Sequence, residues 1–270
     1  MSDDSLWLST VAAVPEAQQQ RRRRRGRRSV AVARPFRVDF NAIDRRQGSG
    51  NLSRRRQPLA RALGAKTRTI FDATAGWGRD AALAALMGFD VLAAERCAVV
   101  SAMLTDGLVR AEANPSLSLA LGGRLSFKHG DACEILAAAD GDGTPPPDAI
   151  LIDPMWSSAN GFGKARRKVS TALPRASLQL LSTLLLAPSS PTPAVQTLES
   201  RGGANGDGGE ASSANDATRT LIDAALRSEG VHRVVLKKPR AAPPLEPPPN
   251  ARQLDVVETN LVRFDVLVPL

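Results

Sequence analysis

The chain has 270 residues, of which 43% are hydrophobic and 4% aromatic, and it contains no Tyr. This length predicts one or two domains with a core filled mainly by Ala and Leu. The formal net charge of +9 indicates an anionic partner, with nucleic acid the first candidate and a membrane surface the second. The two Cys and two His are not expected to form a typical four-ligand zinc site, and no apolar run reaches membrane-spanning length.

Residues 1–34 are predicted to be a disordered, Arg-rich leader. They contain three consecutive Gln and then the run RRRRRGRR from Arg21 to Arg28. Such a block of like charge is typical of a solvated segment. It could be a nucleic-acid-binding arm, a nuclear or nucleolar address, part of an organellar presequence or a nonspecific basic tail.

Residues 35–66 are predicted to form a small basic module, with a short strand at Val38–Phe40 and a short helix from Gln57 to Leu63 that ends at Gly64. Between them lies a Gly-rich loop flanked by arginines. Guanidinium groups on such a loop suit the phosphates of a polynucleotide, although a solvated surface would have a similar composition. RNA contacts are predicted for Arg45, Arg46, Arg54, Arg55 and Arg56.

The motif IFDATAGWGRDA, from Ile70 to Ala81, predicts the end of a buried strand, a glycine turn and the start of a helix. In α/β folds this arrangement binds nucleotide-like cofactors at the carboxyl ends of the strands. Its carboxylates disfavour a pyrophosphate and suit a cationic ligand such as S-adenosylmethionine. Cofactor contacts are predicted for Asp72, Gly76, Gly78 and Asp80.

The next two predicted strands are Phe89–Ala94, followed directly by Glu95, and Leu125–Lys128, with Asp131 three residues further on. Glu95 is placed to accept the hydroxyls of a ribose. Asp131 is placed beside the adenine of such a cofactor, because in this class of fold the residue after the third strand lies there. Helix capping would also explain Asp80, Glu95 and Asp131.

The fourth predicted strand, Ala149–Ile152, is almost wholly apolar, as is typical of a central parallel strand. It is followed by the sequence DPMW. A carboxylate at Asp153 can accept the N–H groups of an exocyclic amine, Pro154 fixes the loop, and Trp156 can stack on the base. We predict these three residues as the catalytic and acceptor-binding group, the alternative being a turn with a buried Trp.

The remainder of the chain contains further basic residues near the same predicted sheet edge. A basic cluster spans residues 161–168, and a low-complexity, disordered insertion is predicted at 188–218. A fifth strand at Val231–Leu236 and an antiparallel pair at Leu254–Glu258 and Leu261–Val268 complete the predicted sheet. Further RNA contacts are predicted for Lys164, Arg166, Arg167, Lys168, Lys237 and Lys238.

These motifs together resemble the RsmJ family of small-subunit (16S) ribosomal RNA guanine-N2 methyltransferases. The resemblance rests on VDF, DATAGWGRDA, AERCAVVSAMLTDGL, ILIDPMW, VVLKKP and RFDVL, in that order. It implies that residues 67–270 form a Rossmann-like class I S-adenosylmethionine-dependent methyltransferase domain, α/β, mostly parallel with an antiparallel C-terminal strand pair. The cofactor contacts it implies are Arg79, Asp80, Glu95, Arg96, Asp131, Ala132 and Asp153.

The family usually has D-P-M-[FY]-P, whereas this chain has Trp156 and Ser157. Three alternatives therefore accompany guanine methylation: methylation of another amine, on adenine or on a protein; an RNA-binding homologue without turnover; and an NAD enzyme, for which hydride-transfer residues are not evident. The expected partner is small-subunit ribosomal RNA or the ribosomal subunit, with neither a metal nor a membrane. The expected compartment is the cytoplasm, or a mitochondrion or plastid if the leader is a presequence.

Overall fold

The computed structural model of the chain describes residues 6, 36–43, 52–143, 145–154, 209–242 and 246–270. The strands in these ranges are β1 Thr69–Asp72, β2 Asp90–Glu95, β3 Leu125–His129, β4 Ala149–Ile152, β5 Arg233–Pro239, β6 Ala251–Glu258 and β7 Val262–Pro269. The helices are α1 Pro58–Leu63, α2 Arg79–Leu86, α3 Ala98–Glu112, α4 Pro115–Leu121, α5 Ala132–Asp142 and α6 Gly209–Arg227.

The seven strands form one sheet in the order β3-β2-β1-β4-β5-β7-β6. Strands β1 to β5 are parallel, and β7 is antiparallel to both of its neighbours, β5 and β6. This confirms the predicted mostly parallel sheet with an antiparallel C-terminal pair. The strand order reverses between β1 and β4, so a crevice is expected at the carboxyl ends of these two strands.

Helices cover both faces of the sheet and produce two hydrophobic clusters. On one face, Leu83 of α2 and Leu104 of α3 pack with Leu151 and Val235. On the other, Ile135 of α5 and residues of α6 pack with the opposite side of the same strands. Because both faces are covered, all four residues of β4 are buried, as its continuous apolar run predicted.

The segment 36–43 packs on the outer helices but differs from its prediction. Val38 and Phe40 are buried, and a Cβ added to Gly107 of α3 would lie only 2.8 Å from Val38 Cγ1. The predicted strand at Val38–Phe40 is wrong, because these residues have no strand pairing and a turn begins at Phe40. The local cause is Asp39, whose Oδ1 accepts the Asn41 backbone N–H at 3.0 Å, a bond that competes with strand pairing.

Helix α6 includes the last residues of the predicted insertion. The disordered insertion was predicted at 188–218, but residues 209–218 already belong to α6. The later part of the helix buries Ile222, Ala225 and Leu226 against the sheet, and this apolar face supports a helix whose first half consists of small and polar residues. Within the described ranges, no helix has the length and apolar character needed to cross a membrane.

Candidate cofactor and acceptor site

The carboxyl ends of four parallel strands bring polar side chains to one edge of the sheet. Asp72 ends β1, Glu95 ends β2, Asp153 follows β4, and Lys237 lies near the end of β5. In a parallel sheet these positions share an edge, and the strand order reverses at the β1–β4 pair. The structure therefore brings together the residues predicted from three separate motifs, and it adds a lysine that had been assigned elsewhere.

The turn after β1 follows the backbone path that its glycines predicted. Gly76 and Gly78 have φ values of 51° and 70°, in the left-handed region that favours glycine. A Cβ on Gly78 would lie 2.6 Å from Leu104 Cδ2, so a side chain at this position would have to displace Leu104 of α3. The Ala75 N–H donates to Ala94 O at 2.9 Å, which holds the turn against β2.

Glu95 fixes the same turn through its side chain. Its Oε2 accepts the Gly76 N–H at 3.0 Å, and its Oε1 accepts the Cys97 N–H at 2.8 Å. Burial raises the pKa of Glu95, although these two amide donors oppose the shift. Each carboxylate oxygen has a second lone pair, so a contact with ribose hydroxyls stays a prediction that this geometry allows.

Asp131 caps a helix, as the alternative explanation predicted, whereas Asp80 does not occupy an N-cap position. Asp131 is the N-cap of α5, and its Oδ1 accepts the Cys133 N–H at 2.8 Å. Asp80 lies in the first turn of α2, whose N-cap is Gly78, and its carboxylate forms an ion pair with Lys237. Capping is therefore confirmed for Asp131, whereas Asp80 has a tertiary partner. Three further predicted cofactor contacts, Arg79, Arg96 and Ala132, follow the carboxyl ends of β1, β2 and β3, and they stay predictions.

Lys237 lies between two carboxylates from different elements. Its Nζ is 2.8 Å from Asp153 Oδ2 and also contacts Asp80 Oδ2. The Asp153 backbone N–H donates to Thr74 Oγ1 at 2.6 Å, so the residue is held by its backbone and its side chain. The sequence predicts an RNA contact for Lys237, whereas the structure places its ammonium within the site.

Side-chain alternation along β5 was the signal that could have separated the two lysines. Residues two apart on a strand share a face. Lys237 therefore lies on the side of Val235, which packs with α2, whereas Lys238 lies on the side of Leu236. Only Lys237 can reach the α2 carboxylate.

Three ionisable groups in the site, Asp72, Asp153 and Lys237, have pKa values that depart from their ordinary range. Burial raises the pKa of Asp72 to about 7, with Asp80 and Asp153 adding to the increase and the Thr74 amide opposing it. Burial also raises the pKa of Asp153, against the effect of Lys237. Burial acts to lower the pKa of Lys237, but the two carboxylates outweigh it and raise that pKa above its usual range.

Two predicted RNA contacts serve the fold instead. Lys238 is 3% exposed, and its Nζ lies 2.6 Å from an oxygen of Asp265, which is completely buried. Arg54 donates to Met87 O at 2.9 Å and lies 3.7 Å over the Phe89 ring, at the amino ends of the parallel strands. Their cationic groups are thus held inside the protein or at the opposite sheet edge, so neither fits the phosphate contact predicted for it.

The remaining predicted site residues are either described without a contact that tests their role or lie outside the described ranges. Arg55 and Arg56 are exposed, and their contact with RNA stays a prediction. Pro154 is described and partly buried beside Asp153. The following predicted site residues lie outside the described ranges: Arg45, Arg46, Trp156, Lys164, Arg166, Arg167 and Lys168.

The donor set of this edge fits S-adenosylmethionine. The ligand has a sulfonium, an ammonium, a ribose and an adenine, and the edge offers carboxylates at the ends of β1, β2 and β4 together with Asp131 after β3. The close approach of Gly78 to Leu104 leaves backbone rather than a side chain at the turn. In the described part of the chain, no group of three or more His, Cys, Asp or Glu side chains is arranged to hold a metal.

Comparisons with known proteins agree with this geometry. A family model described as "Putative SAM-dependent methyltransferase" matches residues 11–173, more than half of the chain. A protein named Ribosomal RNA small subunit methyltransferase J from Chromohalobacter salexigens is 33% identical over 240 residues, which cover 87% of this chain and 77% of that protein. A protein of the same name from Dechloromonas aromatica is 32% identical over 239 residues, which cover 86% and 78%.

A solved structure supports the fold independently. The crystal structure of a SAM-dependent methyltransferase from Neisseria gonorrhoeae superposes with a TM-score of 0.55 at 23% identity, covering 90% of this chain and 78% of that chain. The sheet topology, the glycine turn and the similarity over most of the length therefore all indicate the same family. The chain belongs to the family of Ribosomal RNA small subunit methyltransferase J and is an S-adenosylmethionine-dependent methyltransferase.

Proposed function

We propose that this enzyme transfers a methyl group from S-adenosylmethionine to the exocyclic N2 amine of a guanine in small-subunit ribosomal RNA. The observation that carries the proposal is the placement of Asp153. It follows the central strand β4, its carboxylate is anchored to Lys237, and it shares an edge with the glycine turn. The names of the relatives support ribosomal RNA as the acceptor.

The chemistry explains why a carboxylate is needed. The lone pair of a guanine amine is delocalised into the ring, so the amine is a poor nucleophile. Bound S-adenosylmethionine supplies an electrophilic methyl group on its sulfonium. Asp153 accepts an amine N–H at Oδ1, stabilises the positive charge that develops on nitrogen, and receives or relays the proton that leaves. Its raised pKa favours that last role.

The other residues of the edge bind and orient. Asp72 and Asp80 face the cationic part of the cofactor, Glu95 accepts from the ribose, and Asp131 with Ala132 lies beside the adenine. Asp80 is shared with Lys237, which fixes the carboxylate before any ligand binds. Pro154 and Trp156 orient the acceptor base, the first by its restricted φ and the second by stacking. A preorganised edge of this kind lowers the cost of aligning two reactants.

The basic segments supply RNA affinity around this site. Residues 1–34 act as an RNA-binding arm ahead of the module at 35–66, and residues 188–208 are an insertion in the catalytic domain. Phosphate contacts fall on the arginines Arg45, Arg46, Arg55, Arg56, Arg166 and Arg167 and on the lysines Lys164 and Lys168. The relatives come from bacteria, which supports the cytoplasm as the site of action.

An acceptor competition tests this proposal. The purified enzyme receives isotopically labelled methyl donor with small-subunit ribosomal RNA, duplex DNA or a basic protein, and radioactivity is counted in each acceptor. We expect label in the ribosomal RNA, at least tenfold above the other acceptors. Label mainly in DNA or protein would transfer the assignment to another amine. Donor binding without any labelled acceptor would indicate an RNA-binding homologue that lacks turnover.

A further inference from the structure

The contact between Lys237 and Asp153 involves a particular carboxylate oxygen, and this decides which oxygen is available to the acceptor. Lys237 Nζ lies 2.8 Å from Asp153 Oδ2, whereas among the described residues no partner of Asp153 Oδ1 is observed. The Asp153 side chain is 34% exposed and that of Lys237 is 19% exposed. One carboxylate oxygen is therefore anchored inside the site, and the other can meet an incoming amine.

The electrostatic balance of the same cluster requires a cation. Asp72 from β1, Asp80 from α2 and Asp153 after β4 act on one another, and Lys237 from β5 acts on all three. Three carboxylates in a partly buried site repel one another, and one of them takes up a proton when no cation compensates them. A protonated Asp153 could no longer accept an N–H bond at both oxygens.

We propose that Lys237 is a positioning residue that anchors Oδ2 of Asp153, keeps this carboxylate ionised and so presents Oδ1 to the acceptor amine. The inference deepens the proposed function and rests on it only for the identity of the amine. Lys237 need not touch the RNA or the cofactor, since it acts through Asp153 and Asp80. Its two anchors connect the acceptor side of the site with the first turn of α2.

The first test measures protonation directly and needs no substrate. The Asp153 carboxyl carbon is followed by ¹³C NMR over pH 3 to 10 in the full-length protein, with the signal assigned by its loss in Asp153→Asn. Asp72→Asn assigns the second buried carboxyl. In Lys237→Met we expect the Asp153 pKa to rise by roughly one to three units, the size of the effect of an opposite charge at this distance.

The second test separates positioning from structure through the pH profile of kcat. Lys237→Met is expected to lower kcat at pH 7 by tenfold or more, to shift the acidic limb to higher pH and to recover part of the loss at pH 9. Lys237→Arg retains the cation and should keep the limb within about 0.5 unit of the wild type. Lys66→Met, which removes an exposed lysine after α1, should leave the profile unchanged.

Each outcome has one meaning. An unchanged Asp153 pKa in Lys237→Met, or a loss of kcat that is equal at every pH, would overturn the positioning role even if ribosomal RNA is methylated. A raised Asp153 pKa in a protein that does not methylate ribosomal RNA would retain the positioning role and contradict the proposed function. Circular dichroism and Tm of each variant verify that the fold is retained, and the conservative Lys237→Arg change keeps the test decisive if Lys237→Met unfolds.

Discussion

Thr74 and Asp153 are 79 residues apart in the chain, yet the Asp153 N–H donates to Thr74 Oγ1 at 2.6 Å. This bond joins the cofactor turn after β1 to the acceptor loop after β4, across the point where the strand order reverses. Because the two loops are bonded directly, a change in one is expected to alter the position of the other.

Thr74→Val removes the hydroxyl acceptor and keeps the shape of the side chain. The partly buried Asp153 N–H then has no partner at this position, which is expected to cost about 1 to 3 kcal/mol. We expect kcat to fall by about tenfold, with a small change in donor affinity, and Thr74→Ser to retain most of the turnover. Steady-state kinetics at saturating donor measures this. Equal kcat values for the Val and Ser variants would show that the bond does not align the acceptor loop.

The close packing of Gly78 on Leu104 can be separated from the backbone conformation with a matched glycine. Gly78 and Gly123 have φ values of 70° and 71°, but a Cβ on Gly123 would have no heavy atom within 4 Å. Both Ala variants lose about 1 to 2 kcal/mol because of the left-handed conformation. Gly78→Ala must also displace Leu104, so we expect it to have a lower Tm than Gly123→Ala and a donor affinity reduced by at least tenfold.

Thermal unfolding measures the Tm of Gly78→Ala and Gly123→Ala, and calorimetry measures the affinity of each variant for the methyl donor. Gly123→Ala serves as the control because its site is in the turn before β3, away from the carboxyl ends of the strands. Identical Tm values and identical donor affinities for the two variants would mean that the cofactor turn has room for a side chain.

Asp72 makes stability depend on pH in an unusual direction. Burial raises its pKa in the folded protein to about 7, whereas that of an unperturbed aspartate is 3.8. The folded state therefore holds this proton more tightly than the unfolded state, and the contribution of Asp72 to stability decreases as the pH rises from about 4 to 7. A shift of this size corresponds to about 4 kcal/mol. We expect the free energy of unfolding in urea, taken as the wild-type value minus the Asp72→Asn value, to show this decrease.

In the wild type, the Thr74 N–H donates to Asp72 Oδ1 at 3.0 Å. The Asn variant keeps an acceptor for this N–H, so the comparison isolates the effect of the charge. A difference between the two proteins that stays constant from pH 4 to 8 would contradict an elevated Asp72 pKa.

The basic leader is expected to contribute long-range attraction to RNA. Removal of residues 1–34 deletes the RRRRRGRR run, so the slope of log K against log salt for ribosomal RNA should become less negative. Fluorescence anisotropy between 50 and 300 mM salt measures the slope. If the slope is the same with and without these residues, they do not contact the RNA backbone.

Sequence patterns predicted the sheet well because its signals are local. The continuous apolar run of β4 and the glycines of the turn after β1 each specify their own backbone. The roles of Lys237, Lys238 and Arg54 were harder to predict, since a positive charge is equally compatible with RNA and with an internal carboxylate or carbonyl. Only the tertiary structure shows that Asp265 faces Lys238 and that Asp80 faces Lys237. The turn at Asp39 was missed because a local side-chain bond competes with an apolar strand pattern.

The most direct measurement is the identity of the methylated nucleoside. Small-subunit ribosomal RNA is incubated with labelled donor and either the wild type or Asp153→Ala, digested to nucleosides and analysed by mass spectrometry. We predict labelled N2-methylguanosine with the wild type and at least a hundredfold less with Asp153→Ala, the size of the loss caused by removal of one preorganised polar group in an active site. Label on adenosine, or equal N2-methylguanosine from both proteins, would contradict this account.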